Sequence, residues 1–471
     1  MAIRDGWVHS RMMKREAEFC QFETLNIAVG TWNVNGKRPS TSVRDWFGRA
    51  DGATPDVVVV CLQEMVDLVA GNLVVEKKSR TSCDEWCHKI LHDLNDPSSF
   101  TPSASSSSSS AAAGAASASS ASASTAPLHE FELVQSKFLV GIMIAVFVRS
   151  DHRSQISEVH GSTVGTGIMN VMGNKGGAAV RFRMRDTTLC FVCAHLAAHR
   201  DAVESRNSDV KNIIEKMTFS DTTEGDGDGN VSEVVDSSSG AGDAAPTAPP
   251  TPPPPRSRVV ASTAAGDEVI ETAEVLGSGG DAGGSSVPFA EVTAADGEVR
   301  RGELGQRVLG DVGRAGWDSV ASRHSHGLSY GILDHDLVIW AGDLNYRIDP
   351  ELTIDEVHML VSVCNRARKK GSAMALKSLS RLQELDQLWI ARQAETVMLS
   401  MFDEAPLNFL PTYKFIAGTA EYDRRPEKKK RAPAWCDRVL WRAARPEKVQ
   451  CTEYVCCNIR AIYNIVVTAS H

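Results

Sequence analysis

No stretch of the chain approaches the ~18 to 20 uninterrupted apolar residues that a helix needs to cross a bilayer. Met1 to Lys14 holds scattered Arg, His and Met and no apolar run, so no secretory leader is expected. These two absences argue against a simple secreted or integral membrane protein. The eleven cysteines hold a single C-x-x-C spacing, Cys190 to Cys193, inside an apolar run with no second such pair; three residues separate Cys83 from Cys87, and Cys456 and Cys457 are adjacent. That disfavours a zinc knuckle and fits reduced thiols in a cytoplasmic protein. The ending Thr468-Ala469-Ser470-His471 carries no prenylation box. Aromatic residues are scarce at 6% because Ser, Ala, Gly and Pro crowd two tracts that cannot build a core. Outside them roughly 330 residues remain, ample for one large core.

Charge is informative by location. The formal net charge is −9, yet Phe219 to Arg300 alone holds 15 acidic residues against three arginines, which leaves the rest of the chain mildly basic. Basic residues cluster at Arg424, Arg425, Lys428, Lys429, Lys430 and Arg431. Such a run suits nucleic acid, anionic lipid headgroups or a polyphosphorylated small molecule, and equally a solvated loop. Residues 98–127 are almost pure Ser and Ala, and 219–329 is acidic and rich in Gly and Pro; both are expected to be disordered insertions. A short helix is expected around Glu303 to Val320. Pro249 to Pro255 suits a polyproline II ligand for an SH3-like or WW-like groove, or a plain spacer.

The interrupted segments are strongly patterned. Leu25 to Thr31, Val57 to Leu62, Leu139 to Val148, Gly177 to Phe182, Thr188 to Cys193 and Leu337 to Ala341 have the Val and Ile content of buried strands. Ser82 to Leu94, Asp201 to Lys216, Ile354 to Leu360 and Leu376 to Leu388 have helical spacing. The mixture predicts a strand-rich α/β sandwich rather than a parallel doubly wound sheet.

Chemistry-bearing residues gather where these strands end. Asn33 and Asn35 lie in Thr31-Trp32-Asn33-Val34-Asn35-Gly36, placed to reach a metal or phosphate oxygen or simply to form an Asn-Gly turn. Glu64 follows a buried strand and suits Mg²⁺, which takes oxygen ligands and only one or two protein carboxylates. Lys175 sits in Gly173-Asn174-Lys175-Gly176-Gly177, a phosphate-compatible loop without the P-loop pattern, or a glycine hairpin. His195 and His199 are spaced like a helical zinc pair but lack the intervening glutamate of H-E-x-x-H. Asp343 and Asn345 share one side of a strand end, where an Asp that takes a proton from water beside an Asn that donates to a phosphoryl oxygen forms a hydrolytic pair. Leu410-Pro411-Thr412-Tyr413-Lys414 and Arg431-Ala432-Pro433-Ala434-Trp435-Cys436-Asp437-Arg438 bracket the basic run and offer charge-assisted contacts to a second phosphate.

In order and wording these stretches, with Gln63 to Asn72, Val164 to Gly177 and Arg206-Asn207, resemble the inositol polyphosphate 5-phosphatases of the endonuclease/exonuclease/phosphatase superfamily. The resemblance covers Leu25 to about Trp441 apart from the two tracts. It implies a two-sheet, mainly antiparallel α/β sandwich flanked by helices, and Mg²⁺-dependent removal of the 5-phosphate from phosphoinositides or soluble inositol phosphates. It implies a single catalytic domain in three parts, 24–97, 128–218 and 330–445, after an extension at 1–23 and before an atypical segment at 446–471. It makes Glu64 the metal ligand with Asn33 and Asn35 beside it, His195 a phosphate contact, Asp343 the residue that orients or deprotonates water, and Asn345 the phosphoryl donor. Tyr346 and Arg347 complete that motif and would contact substrate phosphate. Lys175, Tyr413, Lys414 and Arg431 would grip a neighbouring ring phosphate, and Asp437 and Arg438 would support the site from behind.

One departure stands out. The family's last strand is preceded by Ser-Asp-His-Arg-Pro-Val, whose Asp and His belong to the catalytic set, and no such motif follows Trp441 here. The last core strand is therefore expected to be missing, with Ile462 to Val467 a weak substitute, in a truncated or impaired enzyme. A smaller departure is Asn170, where the family has Gly. Three function classes stay open: a 5-phosphatase with peripheral, electrostatic membrane contact at most; an inactive phosphoinositide-binding scaffold; and a related Mg²⁺ nuclease, against which the Pro-Thr-Tyr-Lys and Pro-Ala-Trp-Cys-Asp-Arg stretches argue, so that no nucleic acid partner is expected.

Overall fold

The structure is a computed structural model. It describes residues 7–39 apart from 9 and 13, 54–66, 72–96, 130–167, 174–220, 329–367, 372–416, 430–457 and the backbone of 460–470, with a few positions at 43–47 and 419–425. The expected helix at Glu303 to Val320, the Pro249 to Pro255 run, Asn170, Lys428 and Lys429 lie outside them. Every element below belongs to one compact unit, Met1–Thr223 with Asp318–His471.

Thirteen strands are described. They are β1 Phe22–Asn33, β2 Val57–Gln63, β3 Phe131–Leu139, β4 Ile142–Arg149, β5 Ile156–Gly165, β6 Gly176–Met184, β7 Thr187–His195, β8 Thr218–Ser220, β9 Ser329–Gly331, β10 Leu337–Asp343, β11 Asp437–Ala443, β12 Val449–Cys457 and β13 Arg460–Ser470. The helices are α1 Asn72–Asn95, α2 Val203–Lys216, α3 Ile354–Ala367, α4 Ala373–Glu384 and α5 Gln387–Gln393. One sheet runs β12-β13-β1-β2-β4-β3 and the other β11-β10-β7-β6-β5. Only β1–β2 and β7–β10 pair in parallel, so this is the mainly antiparallel sandwich that the sequence predicts.

The continuous apolar run of β2 is explained by what covers it. Val57, Val59 and Cys61 join the core between the sheets, with Val146, Val180, Phe191 and Ile339. Val58, Val60 and Leu62 face outward into a second core with Trp46, Trp86 and Ile90. The other sheet is covered likewise, with Val192, Val338 and Trp340 packed against Val210, Ile213 and Leu388. A strand buried on both faces loses the polar alternation that would otherwise mark it.

Three local expectations change. Leu139 to Val148 is not one strand: Val140 and Gly141 have φ of 24° and 78°, and this two-residue turn folds β3 back on β4. Leu376 to Leu388 is not one helix: Asp386 leaves helical geometry and its carboxylate accepts from the Trp389 N–H at 3.0 Å, capping α5. Leu382 and Leu385 therefore enter the inter-sheet core while Leu388 enters the outer one. The last strand is present as well, because β13 pairs with β1 from Phe22↔Ser470 to Thr31↔Ala461. Ile462 to Val467 lies within it. Phe219, Ser220 and Ser329, assigned by sequence to the second tract, belong to strands instead: β8 pairs with β9, Phe219 opposite Tyr330 and Ser220 opposite Ser329.

Gly342, one residue before the end of β10, has φ of +144°, and a Cβ there would lie 1.9 Å from the Ala194 carbonyl oxygen on β7. The Gly342→Ala protein should lose about 3 kcal/mol or more. Thermal unfolding followed by circular dichroism should show a midpoint lower by roughly 6 °C or more.

Candidate active site

Strand register builds the site. Gly176, His195, Asp343 and Asp437 are successive Cα partners across β6, β7, β10 and β11, a single row along one end of the sheet. The other sheet ends beside it, with Asn33 paired to Gln63 and Glu64 immediately following. Both turns use the left-handed region, with Asn35 at φ 49° and Glu64 at φ 55°. The Val34 N–H donates to the Gln63 carbonyl at 2.8 Å and the Gly36 N–H to the Glu64 carbonyl at 2.6 Å, so the two turns are laced together.

The sheets meet at Asp343. Its Oδ2 accepts from Asn33 Nδ2 at 3.1 Å, and its Oδ1 accepts from the Asn345 N–H at 3.2 Å. His195 Nε2 lies 3.5 Å from Asp343 Oδ2 and 3.9 Å from Glu64 Oε1. Lys175 donates its ammonium to that same imidazole nitrogen at 2.5 Å. Burial drives His195 down to about 3, with Asp343 opposing and Lys175 and Arg347 assisting, so the ring is neutral at physiological pH. Burial also lowers Lys175, against the attraction of Asp343 and Glu64.

Asn345 is clamped: its Nδ2 donates to the Leu196 carbonyl at 3.1 Å, and Arg347 donates to its Oδ1. The Arg347 guanidinium then stacks 4.1 Å over the Tyr413 ring. Asp343, Asn345 and Arg347 are thus tied to one another, although β10 ends at Asp343 and Asn345 turns through φ 57°. Tyr346 is directed elsewhere. It is fully buried, its hydroxyl donates to Asn207 Oδ1 at 2.7 Å, and Arg206 lies over its ring. Its expected contact with substrate phosphate is withdrawn, because burial against α2 commits its hydroxyl to Asn207.

Asp437 accepts from the Thr412 hydroxyl at 2.8 Å. Burial, then the facing Asp343 carboxylate, push its carboxyl up to about 8. Arg438 points the opposite way into a buried cluster, bonding Glu404 at 2.6 and 2.7 Å and Asp386 at 2.8 Å. Lys414 is exposed next to Tyr413, and its carbonyl accepts from the Asp423 N–H. Arg431 is half-buried, and its backbone carbonyl accepts from His358 Nε2 at 3.0 Å. The register brings Asn33, Glu64, Lys175, His195, Asp343, Asn345, Arg347 and Asp437 together, whereas no described contact ties Lys414 or Arg431 to them. His199 lies outside any helix at φ 81°, so the two histidines form no helical zinc pair.

Sequence reasoning missed several supports. Asp209 accepts from the Ala197 N–H at 2.9 Å and steadies the loop after His195. Gln387 accepts from Arg206 at 2.7 Å and from the Arg347 N–H at 2.9 Å, joining α2 to the Asp343 loop. Asp209 lies two residues beyond the noted Arg206-Asn207, a usable signal; Gln387 has none, since a glutamine in a leucine-rich stretch looks like surface.

The donor set suits a hard cation. Among the described residues no three His, Cys, Asp or Glu gather into a metal cage. One partly exposed carboxylate, Glu64, stands at the turn laced to Asn33–Gly36, where the Asn33 side-chain oxygen accepts from the Asn35 N–H at 3.1 Å. A small cation that keeps several waters accepts such a set.

A model of the Endonuclease/Exonuclease/phosphatase family 2 matches residues 30–239 and 313–463. Type II inositol polyphosphate 5-phosphatase 15 of Arabidopsis thaliana is 30% identical over 449 residues, 93% of this chain and 29% of its own length. The mouse type II inositol 1,4,5-trisphosphate 5-phosphatase is 27% identical over 440 residues, again 93% of this chain and 29% of the relative. The chain thus spans under a third of either relative. A crystal structure of the inositol polyphosphate 5-phosphatase domain of a synaptojanin, in complex with inositol (1,4)-bisphosphate and calcium ion, shares the fold. Its TM-score is 0.57 at 23% identity, over 98% of this chain and 90% of that one.

A buried carboxyl held at about 8 leaves a signature in stability. The folded state keeps the Asp437 proton while the unfolded chain releases it near the ordinary Asp value, so its stabilising contribution is full below about 4 and is lost as pH rises through 8. Chemical denaturation from pH 4 to 9 should show the parent protein losing stability relative to Asp437→Asn by a few kcal/mol. Parallel curves for the two proteins would contradict this.

Proposed function

Since the chain belongs to the endonuclease/exonuclease/phosphatase family 2, we propose that it is a Mg²⁺-dependent phosphomonoesterase that removes the 5-phosphate of phosphoinositides or soluble inositol polyphosphates. The observation that carries this reading is the Asn33–Asp343 hydrogen bond, which joins the acidic end of one sheet to the row His195–Asp343–Asp437 of the other. The relatives' names supply the substrate class.

Glu64, with Asn33 and Asn35, would hold the Mg²⁺, which when bound neutralises phosphate charge and favours departure of the inositol oxygen. Asp343, with both oxygens positioned by Asn33 and the Asn345 N–H, orients a water and takes its proton as the water attacks phosphorus. One Asn345 N–H is committed to Leu196, which leaves the other for a phosphoryl oxygen. Neutral His195 and the Lys175 ammonium line the same spot and favour an anion there. Arg347 and Tyr413, and further out Lys414 and Arg431, supply remote contacts that orient the scissile phosphate.

A second reading, an inactive phosphoinositide-binding scaffold, rests on one observation. The stretch Cys457-Asn458-Ile459-Arg460-Ala461-Ile462 enters β13 where the family places Ser-Asp-His-Arg-Pro-Val, and it carries neither the Asp nor the His. Residues 458 and 459 themselves lie outside the described residues. β13 meets β1 at Thr31↔Ala461, at the Asn33 end, so an Asp-His pair in that connection would approach the site.

Phosphate release from inositol 1,4,5-trisphosphate and from phosphatidylinositol 4,5-bisphosphate, with Mg²⁺ and after chelation, tests both readings. Activity in the parent that needs the cation and falls by about 10³-fold in Asp343→Ala supports the enzyme. Silence in the parent, with activity in the Asn458→Asp/Ile459→His double variant, would make this chain a binding module with an incomplete site. Cleavage of abasic DNA with no action on either inositol phosphate would overturn both.

A further inference from the structure

Along α3, together with Arg424 and Lys430, lies an open cavity of about 750 Å³ lined by Asp355, His358, Met359, Ser362, Arg366, Arg424 and Lys430. Asp355, Met359, Ser362 and Arg366 are spaced as one stripe of α3. The groove is held in shape by its own bonds. Arg424 donates to His358 Nδ1 at 3.0 Å and to Ser362 Oγ at 3.2 Å, while His358 Nε2 donates to the Arg431 carbonyl. Three permanent cations, Arg366, Arg424 and Lys430, face one carboxylate, Asp355, which pairs with Lys430 at 3.4 Å. His358 adds no charge, since burial and then Arg424 lower its affinity for a proton.

Apolar surface accompanies these cations. Met359, within the stripe, is 56% exposed, and Met374 and Leu376 on α4 are 68% and 64% exposed. Leu376 also lines an apolar cavity of about 250 Å³ with Leu379, Phe409 and Leu410. Both cavities flank one structural unit, because Tyr422 donates to the Pro411 carbonyl at 2.7 Å and its ring meets His358 edge-on. That unit continues through Tyr413 to Arg347 and the site.

We propose that the α3–α4 face, with Arg366, Arg424 and Lys430 beside exposed Met359 and Leu376, is a docking surface for an anionic lipid bilayer. Lipid phosphates and carboxylates occupy the basic groove while the methionine and leucine enter the boundary between headgroup and acyl chain. Charge complementarity selects the occupant: a neutral membrane offers the cations nothing, and a free anion makes no use of the exposed thioether and leucine. The face adjoins the proposed site through a single segment, so docking would bring a headgroup within its reach.

The test is co-sedimentation of the full chain with phosphatidylcholine vesicles, with and without phosphatidylserine. No inositol phosphate is present, so the catalytic site takes no part. Binding is expected only to the anionic vesicles and should weaken as salt rises. Arg366→Glu with Lys430→Glu should lower the partition coefficient by roughly tenfold or more, and Met359→Asp should lower it several-fold. Circular dichroism checks that both variants are folded. Equal binding to neutral vesicles, or unchanged sedimentation of the charge-reversed protein, would overturn the proposal. So would an unaltered Met359→Asp protein, which would indicate a groove for soluble anions alone. Sedimentation requires no turnover, so this outcome is separate from success or failure of the phosphatase reading.

Discussion

The contact between Asn33 and Asp343 is the constraint around which the site is organised. One residue ends β1 and the other ends β10, and their hydrogen bond of 3.1 Å, with the Gln63–Cys193 contact at 3.3 Å nearby, ties together the ends of two sheets that meet largely through apolar packing. Such packing has no direction and would tolerate small shifts of one sheet over the other. The polar bond, buried on the Asp343 side, does not. Because Asp343 is in register with His195 and Asp437, fixing it also sets the row, and the Glu64 turn follows through its lacing to Val34 and Gly36.

A second buried polar system works at right angles to the first. Arg438 leaves the strand face opposite Asp437 and closes an ion cluster with Asp386 and Glu404. Asp386 simultaneously caps α5, and the next residue, Gln387, receives the Arg347 N–H. The loop after Asp343 is thereby suspended from an outer helix. Buried ion pairs add little net stability because desolvation offsets their attraction, while removal of one partner is costly. Here the arrangement supplies geometry: Asn345 and Arg347 cannot turn without disturbing Gln387.

Much of this was legible in advance. β1, β2, β6, β7 and β10 stand within a few residues of their predicted positions, because strands buried on both faces require unbroken runs of small and branched apolar residues. Asn33, Glu64, His195 and Asp343 were legible for a related reason: polar residues placed directly after such runs must lie where the sheet emerges from the core. The hairpin at Val140-Gly141, the break at Asp386 and the inward turn of Tyr346 were not. Each depends on a partner distant in sequence or on which strand face is covered, and neither is visible locally. β13 was misjudged because an atypical motif was taken for the loss of the strand, although its run of Ile, Tyr and Val still suits the edge of β1.

By itself the sequence determined the class of fold and the chemical types gathered at the strand ends, since both follow from local composition and spacing. Tertiary structure decided which of those residues share a site. Register set His195, Asp343 and Asp437 side by side, strand pleat separated Asp437 from Arg438, the loop after Asp343 sent Tyr346 to Asn207 and Arg347 to Asn345, and contact of α3 with Tyr422 and Arg424 shaped the basic groove. Proximity of residues hundreds of positions apart is a property of the packed sheets, and no local pattern encodes it.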